Sequence, residues 1–411
     1  MTTARRPISS APISKGMAMG LIALLFAGNA LNYVDRQVVA LLKPTLQLAF
    51  HWSDGDYANL GAAFQLAAAS ALVFVGWFID RLGVRVSYGL AVLVWSLAGM
   101  AHAVASTVTQ FVGARVVLGI GETVSTPATV KAVTLYLTPT QRNHALGMIN
   151  TAPNIGAILT PLIIPPFAVA FGWKAAFVVT GGLGLVWLFA WVLSTRTLEP
   201  VGAVAERAPV EWGHMLRERS SWTVIGAKFW TDGVWWFVLF WMPDYFHRVF
   251  GMEQARLGQP IALVFALAAT GALTAGWLYP RLLREGLGID RARKLAMLLF
   301  ALVVLAMPLA LLAQGPWVAA LLIGMGLFAH QGFSTSIFGM ATDIVPARHI
   351  ASVIALGAVA GNLAGMAVIE LAGYSLHTGL GYAPMFLFCG LAYLVALGWI
   401  QLVMPRLAAA D

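Results

Sequence analysis

Twelve apolar segments recur along this chain, and most exceed the roughly 18 residues that carry a helix across a bilayer. They run over about 17–46, 54–79, 84–106, 109–136, 142–170 and 174–195, then 222–250, 257–281, 291–313, 316–344, 348–376 and 381–404. In hydrocarbon every backbone polar group must be satisfied internally, and unbroken apolar runs of this length do so as helices. The expected fold is therefore an all-α membrane protein with twelve transmembrane helices. A soluble fold of 411 residues cannot hide a composition that is 60% hydrophobic and only 10% charged. The single Cys389 excludes an internal disulfide and a cysteine metal cluster. The stretch 1–15 is polar and basic. The segment after it is too long and too polar at its far end for a cleaved signal peptide, so it is expected to remain as the first span.

One long polar stretch interrupts the series, at 196–221, with Arg196, Glu199, Pro200, Glu206, Arg207, Pro209, Glu211, Arg217, Glu218 and Arg219. It divides the chain into an expected six-helix bundle at 1–195, a linker at 196–221 and a second six-helix bundle at 222–411. The net charge of +8 invites a nucleic-acid reading, but the positions of the charges oppose it. Most of the 25 Lys and Arg residues, from Arg5, Arg6 and Lys15 through Arg81, Arg85, Arg142, Arg284, Arg291, Arg293 and Lys294 to Arg406, fall on one side of the alternating spans. Only Lys43, Lys174, Arg248 and Arg256 fall on the other. The positive-inside rule then places both termini in the cytoplasm, with lipid rather than nucleic acid as the surrounding partner. Gly76-Trp77 and Gly276-Trp277 open matching connections in the two halves, so the bundles are expected to be pseudo-symmetric. Repeated halves of this kind rock about a central site.

Charges inside the spans point to that site. Burying a charge at membrane depth costs about 2.5–3.5 kcal/mol on insertion scales, so such groups face a cavity or a partner. Span 1 carries Asn29, Asn32, Tyr33 and Arg36 at helical spacing, with Asp35 at the edge of the stripe. Span 4 carries Arg115 and Glu122, two turns apart on nearly one face. A guanidinium holds a carboxylate bidentately, and a buried carboxylate whose positive partner can be displaced exchanges a proton as that partner comes and goes. Arg36 and Arg115 are thus candidate ligands for a substrate anion, and Asp35 and Glu122 candidate proton sites. The alternative for each is structural: a fixed ion pair, or asparagines that hydrogen-bond between helices.

Other polar groups are candidates for the cavity wall. Asn150 and Asn154 lie a turn apart in span 5, where Pro153 and Pro161 should kink the helix and free carbonyls. Lys228 and Asp232 in span 7 are expected to pair with each other near the cytoplasmic end. Trp235 and Trp236 fall deep enough to wall a pocket. His330 in span 10 is either a proton relay or a hydrogen-bonded packing residue. Gly357, Gly361 and Gly365 form a ladder in span 11 that permits close helix approach. Asp80, Arg81 and Arg85, between spans 2 and 3, are expected to latch a gate.

The segment Gly76-Trp77-Phe78-Ile79-Asp80-Arg81-Leu82-Gly83-Val84-Arg85 resembles the Gly-x-x-x-Asp-Arg-x-Gly-x-Arg loop of the major facilitator superfamily. Asn32-Tyr33-Val34-Asp35-Arg36-Gln37, the run from Gly113 to Glu122, and Lys228-Phe229-Trp230-Thr231-Asp232 with Trp235-Trp236 are similar to the anion:cation symporter family and its bacterial hexuronate-transporter-like branch. The resemblance implies proton-driven uptake of an organic anion across the bacterial inner membrane, by a carrier that needs no partner subunit. It places proton coupling on Asp35 and Glu122, substrate-anion binding on Arg36 and Arg115, and further substrate contacts on Tyr33 and Asn154.

Departures from that branch bear on the substrate. Ala68 stands where a tyrosine is usual, Thr123-Val124-Ser125 replaces Ala-Gly-Asn, and Pro153 replaces a small or polar residue. These changes remove hydroxyl or amide partners, and a site built to pair a substrate hydroxyl discriminates through such partners. The expected cargo is a sugar acid or a less hydroxylated aliphatic or aromatic acid. A metabolite or drug exporter keeps the fold with the opposite direction. A non-transporting membrane sensor would need a signalling domain, and an enzyme would need a metal cluster, nucleophile elbow or phosphate-binding loop. None is visible, and no cofactor is expected.

Overall fold

The computed structural model describes residues 14–196, 198, 212–346 and 349–407. The first half contains α1 (Lys15–Phe50), α2 (Asp54–Leu82), α3 (Val84–Ala101), α4 (Val108–Glu122), α5 (Ser125–Tyr136), α6 (Pro139–Ile149), α7 (Ala152–Phe171) and α8 (Trp173–Ser194). A single turn, α9 (Trp212–Met215), precedes the second half. That half contains α10 (Arg219–Phe250), α11 (Gly258–Arg284), α12 (Ile289–Val304), α13 (Pro316–Ile344), α14 (Ile350–His377) and α15 (Ala383–Val403). Most of the expected linker at 196–221 lies outside the described residues.

Expected spans 4 and 5 are each broken in two. Both breaks sit four residues before a proline. Pro127 has no N–H to give the carbonyl of Thr123, where α4 ends, and Pro153 has none for Ile149, where α6 ends. Pro161, Pro165 and Pro166 lie inside α7 without ending it. Among the described residues, ten helical spans are long and apolar enough to cross a membrane. The two missing from that set are α4–α5, which is broken and carries Arg115, Glu122 and Lys131, and α10, which carries Lys228, Asp232 and Asp244. These two spans hold much of the buried charge.

Local chemistry explains the helix ends that matter most. Ser53 caps α2 reciprocally: its Oγ accepts from the Asp56 N–H at 3.0 Å, and the Asp56 carboxylate accepts from the Ser53 N–H at 2.9 Å. Gly83 turns α2 into α3 at φ +77°, a conformation that a side chain disfavours.

The halves meet along α2 with α14, α7 with α11, and α1 with α10. A Cβ at Gly61 would sit 2.9 Å from Ile369 Cγ2, and one at Gly258 would overlap the Pro161 carbonyl. Tyr57 Oη donates to the Phe240 carbonyl at 2.7 Å, joining α2 to α10.

Candidate substrate and proton site

The polar stripe of α1 faces the broken helix. Asn29 Nδ2 donates to Thr129 Oγ1 on α5 at 2.9 Å and to the Leu25 carbonyl at 2.8 Å. Asn32 Nδ2 donates to the Glu122 carbonyl at 3.2 Å, beside the break that Pro127 imposes. These asparagines hydrogen-bond α1 to the broken helix. One turn on from Asn32, Arg36 Nε donates to Glu122 Oε2 at 2.6 Å. The Glu122 side chain is fully buried and that of Arg36 is 17% exposed.

Arg115 is fully buried beside this pair, with Nη2 donating to the Arg36 carbonyl at 3.4 Å. Among the described residues its Nε and Nη1 have no hydrogen-bond partner, and neither do Glu122 Oε1 and Asp35 Oδ2. A buried guanidinium that uses few of its donors on protein is suited to an oxyanion, because unmet buried donors are costly. Asp35 is buried, beside Thr180 of α8 and within electrostatic reach of Glu122 and Arg115. Gln37 and Gln65 add two buried amides without hydrogen-bond partners among the described residues, which the sequence stripe did not reveal.

Aromatic rings cover the cations. The Arg36 guanidinium lies 5.3 Å from the Tyr33 ring, 5.8 Å from Phe64 and 5.8 Å from Trp236. Arg115 lies 5.5 Å from Phe64 and 5.9 Å from Phe240. Trp236 and Phe240 belong to α10, so the second half supplies part of the wall. Trp235 turns away from Arg36 and stacks on His330 at 5.3 Å between centroids. His330 Nδ1 is 2.6 Å from Tyr393 Oη, which gives the ring a fixed partner.

The other candidates lie apart from this cluster. Asn150 is exposed at the break between α6 and α7, and Asn154 is half-buried one turn further on. Among the described residues, neither hydrogen-bonds to the charged cluster. Lys131 donates to Asp80 within the first half, and Arg81 lies 5.8 Å from the Trp77 ring. The Arg85 carbonyl accepts from Trp191 Nε1 at 3.0 Å. In the second half, Asp343 accepts from Arg293 Nε at 3.0 Å and Nη2 at 2.5 Å. At this end the named pairs each tie helices of one half together.

The opposite end carries a network that sequence reasoning missed. Lys43 Nζ on α1 lies 2.8 Å from Asp244 Oδ2 on α10 and 3.1 Å from Asp54 Oδ1 on α2. Arg248 Nη1 donates to Asp54 Oδ2 at 2.9 Å, and Arg248 also bridges to Asp244. Tyr382 Oη donates to Asp244, and Gln47 Nε2 to Asp54 at 3.2 Å. Gln254 Nε2 donates to the Leu41 carbonyl at 2.6 Å, and Gln254 Oε1 accepts from Thr45 Oγ1 at 3.2 Å. Both halves contribute, so the network closes this end. The four-residue spacings of Lys43 with Gln47 and of Asp244 with Arg248 were its local signals.

Two halves of long apolar helices, enclosing a buried guanidinium–carboxylate cluster, define a multi-pass membrane transporter. The sequence profile of the Major Facilitator Superfamily matches residues 25–369, and the chain belongs to that superfamily. It is 25% identical to the hexuronate transporter of Escherichia coli K12 over 391 residues, covering 90% of each chain. It is 28% identical to the probable L-galactonate transporter of the same organism, covering 89% of this chain and 85% of that one. The hexuronate transporter of Bacillus subtilis is 26% identical, with 94% of each chain covered. In fold it resembles a bacterial homologue of the human lysosomal transporter Spinster in its inward-facing, occupied conformation. That match has a TM-score of 0.78 at 18% identity and covers 96% of this chain and 98% of that one. The D-xylose-proton symporter superposes with a TM-score of 0.74 at 16% identity, covering 95% and 98%.

Proposed function

We propose that this protein is a proton-coupled symporter that imports an organic carboxylate by alternating access. The observation that carries the reading is the buried Arg36–Glu122 pair at 2.6 Å, with Arg115 beside it holding unused donors. A substrate carboxylate entering here meets two guanidinium groups, one of which is already committed to Glu122. Docking on Arg36 displaces Glu122, and a displaced buried carboxylate is neutralised by taking a proton, because an unpaired buried charge is strongly disfavoured. Substrate and proton thus favour each other's binding. Asp35, within reach of the same charges, is the second proton site. The relatives named for hexuronate and galactonate transport support an organic-anion cargo. Between a sugar acid and a less hydroxylated acid, the panel below decides.

The basic asymmetry of the loops supports a cytoplasmic face at the Asp80 end, with both termini in the cytoplasm and the spans in the bacterial inner membrane. The network around Lys43 then seals the outer side, and the arrangement corresponds to an inward-facing carrier. Bundles 1–195 and 222–411, joined by 196–221, rock about the site as a monomer.

The test is uptake into proteoliposomes under an imposed inward proton gradient. Labelled hexuronates, aldonates, small hydroxy or keto acids and aromatic acids form the panel. Accumulation of one acid that a protonophore collapses, and that Arg115→Ala abolishes, supports the reading. Normal uptake by Arg115→Ala, or accumulation indifferent to the proton gradient, refutes it.

A further inference from the structure

A second buried charge pair lies outside the Arg36–Glu122 cluster, on the second half. Lys228 Nζ and Asp232 Oδ2 of α10 are 2.8 Å apart, with side chains only 12% and 15% exposed. Asp232 lies near the midpoint of α10 rather than near its cytoplasmic end as expected from sequence. Its neighbours belong to the bundle interior. The Lys228 ammonium lies 5.1 Å from the Phe338 ring of α13.

The glycine ladder of α14 makes room for this pair. Lys228, Asp232 and Trp236 form a row at four-residue spacing, and Gly357, Gly361 and Gly365 form the facing row at the same spacing. A Cβ at Gly357 would meet Lys228 Cγ at 3.2 Å, one at Gly361 would meet Asp232 Oδ2 at 2.2 Å, and one at Gly365 would meet Trp236 Cδ1 at 2.4 Å. The ladder thus does more than let two helices approach. Each glycine receives one member of a row that ends at Trp236, which lies 5.8 Å from the Arg36 guanidinium. Asp232 is one turn from Trp236, about 6 Å along the axis.

We propose that Lys228 and Asp232 are the second half's substrate ligands, and that they read a hydroxyl group at the end of the acid remote from its carboxylate. This rests on the organic-carboxylate reading above. An ammonium and a carboxylate held 2.8 Å apart offer one donor and one acceptor together, which matches a hydroxyl that both accepts and donates. The pair carries no net charge. A second substrate carboxylate would gain from Lys228 and lose to Asp232, and an apolar terminus would leave polar groups without replacement for water. The pair therefore selects hydroxy monocarboxylates over dicarboxylates and over unsubstituted acids.

The test uses three probes that differ only at the far end: 6-hydroxyhexanoate, hexanoate and adipate. Binding to the purified full-length protein is measured by isothermal titration calorimetry. The unaltered protein is expected to bind 6-hydroxyhexanoate about tenfold more tightly than the other two, the worth of one hydrogen bond. Lys228→Met combined with Asp232→Leu replaces the pair by apolar groups of similar volume, a change that buried pairs tolerate. It should bind hexanoate as well as 6-hydroxyhexanoate. Asp232→Asn leaves the lysine charge unopposed and should move the preference to adipate. An unchanged preference in the double variant would overturn this proposal while leaving the carboxylate site intact. Absence of binding by all three acids, or binding indifferent to Arg115→Ala, would overturn the carboxylate reading and this one with it.

Discussion

Lys43 of α1 and Asp244 of α10 face each other at 2.8 Å, both sealed from solvent, although 201 positions separate them in sequence. The lysine also lies 4.2 Å from the Trp241 ring and 4.8 Å from that of Tyr57. It is held by carboxylates of two helices and by aromatic faces, and removing one carboxylate leaves uncompensated positive charge. Breaking a buried pair from one side typically costs about 3–5 kcal/mol. Because the halves share this network, that cost falls on the state in which this end is closed.

Asp244→Asn should therefore shift the carrier toward opening at the Lys43 end. Thr45→Cys reports it, since Thr45 bonds across the halves to Gln254 and the native Cys389 is buried. Labelling of Thr45→Cys by an impermeant maleimide should rise several-fold in the Asp244→Asn background. Unchanged labelling would mean that the network does not govern closure.

Glu122→Gln keeps the size of the side chain and removes its charge and its proton chemistry. Gradient-driven uptake should fall by tenfold or more, while exchange of labelled for unlabelled acid across the membrane persists. Loss of both activities together would make Glu122 a structural partner of Arg36 instead of a coupling acid.

Arg115→Lys retains the positive charge but loses the planar fork. A point charge cannot replace bidentate recognition, so acid affinity should drop about tenfold or more, with helix content in circular dichroism preserved. An affinity equal to that of the unaltered protein would place the substrate carboxylate elsewhere.

Two glycine substitutions should differ in sign. Gly361→Ala drives a methyl into Asp232 and should lower stability by about 1–3 kcal/mol. Gly182→Ala on α8 meets nothing within 4 Å and should be neutral or stabilising by up to about 1 kcal/mol. Melting curves of the detergent-solubilised proteins compare them directly. Equal behaviour would show that α10 and α14 have slack at Asp232.

Sequence alone determined a good deal here. Segment length and composition dictate membrane-spanning helices, because hydrocarbon leaves an apolar chain few other ways to satisfy its backbone. Intramembrane charge marked Arg36, Arg115 and Glu122, because a charge there demands a partner. Spacing on one helix also paired Lys228 with Asp232, since i and i+4 side chains are neighbours. What only the tertiary structure decided is which distant groups meet. It assigned Arg36, not Arg115, as the direct partner of Glu122. It broke spans 4 and 5 where Pro127 and Pro153 withhold a donor. It also drew Lys43, Asp54, Asp244, Arg248 and Tyr382 into one network across both halves. Helical periodicity describes one helix at a time, whereas the rotation and depth at which two helices face each other follow from packing all of them together.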